Sequence, residues 1–256
     1  RRFGIYDDLL PVLSMSLGAG ETSLLKLSTG YCVIANGGKQ VTATLIDRIQ
    51  DRYGKTIWRH DARACAECDA ADWHGQEEPD LPDDRKQVID PHTAYQITSM
   101  MEGVVQRGTA TVVKEVGVPI AGKTGTTNDE RDAWFVGFTP DLVVGIFLGF
   151  DNPKPMGKQA TGGLLAAPVA RDFLELALKD KEAVPFRVPP GVKLVKINRK
   201  TGARAEAGDK DAIVEAFKPD TDPPEYFSQI GATAGADGWN PDLQGQPIGE
   251  GTGGLF

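Results

Sequence analysis

The sequence predicts a mixed α/β fold, an antiparallel sheet with helices on both faces, on three observations. Three runs rich in β-branched and aromatic residues, Ile120 to Thr127, Ala133 to Phe138 and Leu142 to Phe150, are joined by connections that suit only antiparallel neighbours. Helical apolar spacing precedes them, around Leu24 to Ile34 and His92 to Gln106, and follows them at Val169 to Leu178. A chain of 256 residues with 40% hydrophobic content also holds enough apolar material for a sizeable core.

Taken in order, the apolar positions from Tyr6 to Leu17 predict a first helix, broken by Gly18-Ala19-Gly20. Thr22 is the expected N-cap of a second helix, which Asn36-Gly37-Gly38 stops, because Asn and Gly tolerate the left-handed conformation. Alternation from Val41 to His60, around Arg52-Tyr53-Gly54-Lys55, reads as a β-hairpin. A polar, acidic insert covers about 61–86. Pro91 opens the next helix, with Ile97, Met100, Met101, Val104 and Val105 on one side. Gly162 to Pro168 leads into the last helix, whose Phe173, Leu176 and Ala177 are expected to lie on the sheet. A further hairpin is predicted from Lys193 to Ala205 around Lys200-Thr201-Gly202. The organisation expected is therefore a main domain at 1–185, a hairpin appendage at 186–217, and a Pro/Gly-rich tail at 218–256 whose composition predicts disorder.

Charge excludes one class of partner. A net charge of -8 and a pI near 5.0 leave no electrostatic footprint for nucleic acid. No run approaches the roughly 18 apolar residues of a membrane span. The chain begins without Met and enters at once into patterned sequence, so the polypeptide is expected to start upstream.

The most informative stretch is Gly122-Lys123-Thr124-Gly125-Thr126-Thr127, which places a cation, hydroxyls and a position without a side chain on one extended segment. Such a segment binds anions. A strand edge beside a substrate can aim a backbone N–H at the negative charge that develops on a carbonyl oxygen in acyl transfer. Lys123 can anchor a carboxylate while the hydroxyls of Thr124 and Thr126 donate to it. Gly125 removes a side chain that would stand between strand and ligand. A Lys-Thr-Gly triplet is also a common hairpin turn, and Lys200-Thr201-Gly202 reads as one. The apolar run from Val116 to Gly122 before Lys123, and the strand signals after it, favour a sheet edge.

Lys-Thr-Gly is one of three motifs of active-site serine penicillin-binding proteins and β-lactamases. Its continuation from Thr126 through Trp134 to Asp141 resembles class A, bifunctional penicillin-binding proteins of the 1A type, a likeness that extends over most of residues 3 to 205. The resemblance implies a transpeptidase fold of the penicillin-binding-protein and β-lactamase kind, here incomplete. It further implies a serine D,D-transpeptidase that cross-links peptidoglycan stem peptides ending in D-Ala-D-Ala and is acylated by β-lactams. Thr126 is then the oxyanion N–H donor, Lys123, Thr124, Gly125, Thr126 and Thr127 line the substrate, and no cofactor is needed. Thr109 would border the cleft, although Gly-Thr after a helix is also a routine stop. Trp134 would wall it, although a core tryptophan is the competing reading.

The partner motifs are missing. No Ser-x-Asn or Tyr-x-Asn triplet occurs, and Ser23-Leu24-Leu25-Lys26, the sole Ser-x-x-Lys, sits at the start of a helix whose apolar residues look like core. The chain therefore resembles the C-terminal part of a transpeptidase domain, with no nucleophile of its own and no activity expected alone. An upstream glycosyltransferase domain and membrane anchor, a place on the periplasmic face of the inner membrane, and cell-wall synthesis proteins as partners are further implications. Two other classes stay open: a D-alanine carboxypeptidase or β-lactamase-type hydrolase, and a non-catalytic envelope binding module. The second draws on His60, Cys65, Cys68 and His74, which could hold zinc; a Cys65–Cys68 disulfide or free thiols are the other readings. Cys32, in an apolar helix, reads as a small buried hydrophobe.

Overall fold

The computed structural model describes residues 2–65, 74–75 and 81–225. Its centre is a three-stranded antiparallel sheet, β3 (Ala121–Thr126), β4 (Asp132–Phe138) and β5 (Val143–Gly149), in that order, after a separate hairpin of β1 (Arg48–Gln50) and β2 (Thr56–Arg59). Three α-helices accompany them: α1 (Leu24–Ala35), α2 (Pro91–Arg107) and α3 (Ala167–Ala177). Strands β6 (Lys193–Asn198) and β7 (Ala212–Phe217) form a second two-stranded sheet.

The period of two along each strand sorts the central sheet into faces. Partners in register share a face, so Thr124 and Phe135 lie with Ile146 on one side, and Ala121 and Phe138 with Val143 on the other. Phe135, Ile120 and Val144 pack with Val105, Val113, Ala166, Ala167, Ala170 and Leu174, which brings α3 and the end of α2 onto the first face. Phe138 and Ala121 pack with Met101, Phe186, Tyr31 and Ile34, which brings α1 onto the second. Helices thus cover both faces, as the sequence predicts.

Several elements differ from expectation in instructive ways. The first helix is absent: only a five-residue 3₁₀ turn, Leu13–Leu17, forms before Gly18, and Leu13 and Leu17 stay exposed. Ser23, not Thr22, caps α1, its hydroxyl accepting the Lys26 N–H at 3.2 Å. The stop at Asn36 is as predicted, with Gly37 and Gly38 both at positive φ. In α3 the predicted face is wrong. Phe173 and Leu176 point to solvent, 48% and 79% exposed, while Ala167, Ala170 and Leu174 are buried. Ala167 and Ala170 let the helix approach the sheet closely, with Leu174 the one large side chain of α3 that is buried. In α2, Met101 and Val105 are buried as expected, but Ile97 and Met100 are exposed and Ala94 and Thr98 complete the inner face.

The structure divides into two compact units, the larger of which holds everything to Lys196 and Val214–Asp222. The second is centred on Ile197–Ile213. Within it the predicted turn forms at Lys200-Thr201-Gly202, with the Asn198 carboxamide accepting the Lys200 and Thr201 N–H groups. The principal partner of β6 is nevertheless β7, farther along the chain, and the strand expected before Ala205 shrinks to the single bridge Ile197 to Arg204. Cys32 is a partly buried free thiol with its pKa raised by burial. Cys65 is disulfide-bonded. Cys68, much of the acidic insert and the tail beyond residue 225 lie outside the described residues.

Asp90 caps α2 and accepts the Thr93 N–H at 3.0 Å. This backbone bond, ahead of the contact with His92, holds its carboxyl below the ordinary range. A depressed folded-state pKa adds stability above the unfolded value and loses it as pH falls through the folded one. Asp90→Ala is therefore expected to lower the melting temperature at neutral pH and to differ little from the wild type in strong acid. Melting curves across that range check it, and an acid-independent difference would contradict the cap.

Candidate active site

Strand β3 lies at the edge of the central sheet, paired only with β4 among the described strands. The Thr127 N–H donates to Asp132 O at 3.2 Å, continuing the register in which Gly125 opposes Trp134 and Lys123 opposes Val136. Because hydrogen-bonding direction alternates along an antiparallel strand, the N–H and C=O groups of Thr124 and Thr126 point the other way, to the free edge. That edge is a row of backbone groups without a strand partner among the described residues.

The side chains flank this row from both sides. Lys123 is exposed and projects on the face that α1 covers farther along, yet its ammonium folds back to donate to Thr124 O at 2.9 Å. The cation therefore stands over the free edge. Thr124 and Thr126 project on the opposite face. Thr124 Oγ1 lies 2.6 Å from Thr109 Oγ1, which ties the loop after α2 to the strand. Thr126 Oγ1 accepts the Gly162 N–H at 3.1 Å, leaving its own hydrogen free to donate. Thr127 turns its hydroxyl back to accept the Asp132 N–H at 2.8 Å.

Gly125 sits within the strand, not in a bend, and a Cβ there would lie 3.2 Å from Trp134 Cβ. Trp134 is half-buried and packs on Phe147, with ring centroids 4.5 Å apart. It is at once part of the sheet surface and the floor beside Gly125, so the core and cleft readings are not exclusive. Of the sequence-predicted residues, Thr109, Lys123, Thr124, Gly125, Thr126 and Trp134 come together here. Thr127 faces the turn.

His60, Cys65 and His74 lie in other parts of the chain, Cys68 is outside the described residues, and no cluster able to hold a metal ion occurs among the described ones. Ser23, exposed at the start of α1, spends its hydroxyl on the Lys26 N–H, while the Lys26 ammonium sits 3.8 Å from Asp7.

Two supports escape a reading of the sequence alone. Gly162 lies directly over the Gly125–Trp134 pair: a Cβ there would collide with Trp134 O and come within 2.5 Å of Gly125 O. Glu130, at φ 54° beside Asp129 at φ 59°, binds the loop before Gly162, with its carboxylate accepting the Gln159 N–H and its carbonyl the Met156 N–H, both at 3.0 Å. Two consecutive non-glycine residues in the left-handed region are uncommon and mark a turn held by its surroundings. A glycine pair opening a helix is the one signal for this buttress in the sequence.

Comparison with known proteins fixes the family. The family of the penicillin binding protein transpeptidase domain matches residues 11–175. This chain belongs to that family. Penicillin-binding protein 1A of Rickettsia prowazekii is 43% identical over 220 residues, 85% of this chain and 28% of the relative. Penicillin-binding protein 1A of Neisseria gonorrhoeae is 45% identical over 194 residues, 75% and 22%. The crystal structure of penicillin-binding protein 1A from Haemophilus influenzae superposes with a TM-score of 0.71 at 27% identity, covering 89% of this chain and 36% of that one. The chain is thus a penicillin-binding transpeptidase domain of 1A type, and it spans less than a third of the length of these curated relatives.

Proposed function

We propose that this chain supplies the substrate-holding edge of a D,D-transpeptidase that cross-links peptidoglycan stem peptides ending in D-Ala-D-Ala. The observation that carries this reading is an exposed ammonium folded over the free edge of a strand whose Thr126 N–H points outward, in a penicillin-binding transpeptidase domain. Lys123 draws the substrate carboxylate, or that of a β-lactam, and the Thr124 and Thr126 hydroxyls donate to it. The Thr126 N–H faces the carbonyl oxygen as it becomes negative. Gly125 lets the peptide lie flat against the strand over Trp134, and Thr109 fixes Thr124 from behind.

Acyl transfer also needs a nucleophilic serine beside a base. Ser23 Oγ accepts the Lys26 N–H as the cap of α1, and the Lys26 ammonium, the base that Ser-x-x-Lys would supply, lies beside Asp7 instead, so we expect these 256 residues by themselves to form no acyl-enzyme. The serine and its Ser-x-Asn partner belong to sequence upstream, as do the glycosyltransferase domain and the anchor that would hold the enzyme at the periplasmic face of the inner membrane. Residues 1–185 form the share of the transpeptidase domain carried here; of the stretch 186–217 read as an appendage, Phe186 packs in the core of that domain. Incubation with a fluorescent penicillin is expected to leave the chain unlabelled after denaturing electrophoresis. A covalent band that disappears in Ser23→Ala would overturn this assignment of the nucleophile.

A further inference from the structure

Helix α2 carries a polar stripe that the candidate active site leaves unexplained. Gln96, Ser99, Gly103 and Arg107 recur at three- and four-residue spacing and so share one face. That face meets residues 214–217 of β7, which belong to the same compact unit as α2. The Glu215 carboxylate accepts from the Arg107 guanidinium at 2.7 Å through one oxygen and from the Ser99 hydroxyl at 3.3 Å through the other, and the Gln96 carboxamide donates to Ala216 O at 2.9 Å. Gly103 makes room for the ion pair: a Cβ there would stand 2.8 Å from the Arg107 guanidinium, which folds back along the helix. Ser99 and Arg107 are eight residues apart, so one carboxylate holds roughly two turns of the helix. Glu215 is only 18% exposed, and its pairing is screened less than that of a surface ion pair.

Beyond Arg107 the chain has little freedom. Gly108 folds tightly against the last turn of α2, where a Cβ would lie 2.8 Å from Val104 Cα, and the Gly108 and Ala110 N–H groups both donate to Val104 O at 3.1 Å. Ala110 is fully buried. Thr109, between them, is thus carried by the end of α2, and its hydroxyl lies 2.6 Å from that of Thr124. When Thr109 donates in this contact, Thr124 keeps its own hydrogen for a carboxylate.

We infer that Glu215 is a positioning residue for the cleft: through Arg107 it sets the end of α2, and through that end the place of Thr109 against Thr124. Glu215 lies outside residues 11–175, the stretch that the family matches, so the geometry of the cleft depends on a strand beyond it. The inference rests on the reading of the Lys123 edge as a carboxylate site.

Glu215→Arg sets two cations together. The Thr109 and Thr124 amide resonances should move from their wild-type positions, and affinity for diacetyl-lysyl-D-Ala-D-Ala should fall about threefold, the scale of coupling through packed networks. Adding Arg107→Glu exchanges the charges and should restore both, which a general weakening of β7 would not allow. In a Thr109→Val background, Glu215→Arg should cost no further affinity. Glu215→Gln keeps the shape and withdraws the charge; it should give the same shifts at smaller size, and it decides the matter if the charge reversal unfolds the chain. Shifts confined to β7 and the Ser99 turn, with Thr109 unmoved in both variants, would overturn the inference, as would an equal loss of affinity with and without the Thr109 hydroxyl. A wild-type chain that fails to bind the peptide would instead sink the carboxylate reading, and the Thr109 amide would still decide the positioning role.

Discussion

Gly162→Ala is expected to destabilise the fold by about 3 kcal/mol, the upper part of the range for overpacking, although it adds a single carbon. The new Cβ would overlap Trp134 O and lie 2.5 Å from Gly125 O and 3.0 Å from Gly125 N. These are backbone atoms of a paired strand and cannot rotate away, so either β3 shifts from β4 or the turn before α3 lifts from the sheet. Both responses release the Gly162 N–H from Thr126 Oγ1. Gly163→Ala should behave similarly, because its Cβ would meet Thr109 O at 2.5 Å. Leu176→Ala removes far more apolar surface on paper, yet Leu176 is 79% exposed and the change should stay within about 0.5 kcal/mol. Urea unfolding of the three variants decides the matter. Gly162→Ala unfolding at the wild-type midpoint would mean that the turn does not rest on β3.

The inversion between Leu176 and Gly162 also explains which parts of this protein can be read from its sequence. Strands β3, β4 and β5 are legible because alternation, β-branching and short connections all point the same way. Helix α2 is legible at its start, where Pro91 opens it. The faces of α3 are not. Val169, Phe173 and Leu176 keep helical spacing as well as Ala167, Ala170 and Leu174 do, and periodicity cannot say that the small-residue stripe faces inward. That choice is made by the closeness of the sheet, a tertiary fact. The missing first helix has a related cause: Leu10, Leu13 and Leu17 show helical spacing, but nothing in the described structure covers them, and a short isolated helix is marginal without tertiary burial.

The candidate site divides along the same line. Lys123, Thr124, Gly125 and Thr126 are visible as a motif because their chemistry depends on their own atoms. Gly162 and Glu130 are not, because their work is to hold backbone that is distant in sequence. Thr109 is intermediate: its place after a helix is readable, its 2.6 Å contact with Thr124 is not. Orientation is the subtler lesson. The ammonium and the hydroxyls leave the strand on opposite faces and converge only because Lys123 bends back over the free edge.

That geometry makes Lys123→Ala the sharpest test of carboxylate anchoring. A diacetyl-lysyl-D-Ala-D-Ala peptide should bind the wild-type chain saturably, and Lys123→Ala should weaken this by at least about tenfold, since a charge-assisted contact to a carboxylate contributes roughly 1.5–3 kcal/mol. Lys123 is exposed and its ammonium, among the described residues, contacts only the Thr124 carbonyl, so the substitution should leave the melting temperature almost unchanged. Gly125→Val should also abolish binding but for a steric reason, and it should destabilise as well, because its Cβ would stand 3.2 Å from Trp134 Cβ. Salt separates the two effects. The wild-type affinity should fall as ionic strength rises, because the ammonium is solvent-exposed and screened, while the residual affinity of Lys123→Ala should be nearly salt-independent. Equal binding by wild type and Lys123→Ala at low salt would show that the ammonium over the free edge is an ordinary surface lysine, and the anchoring role would have to pass to another group.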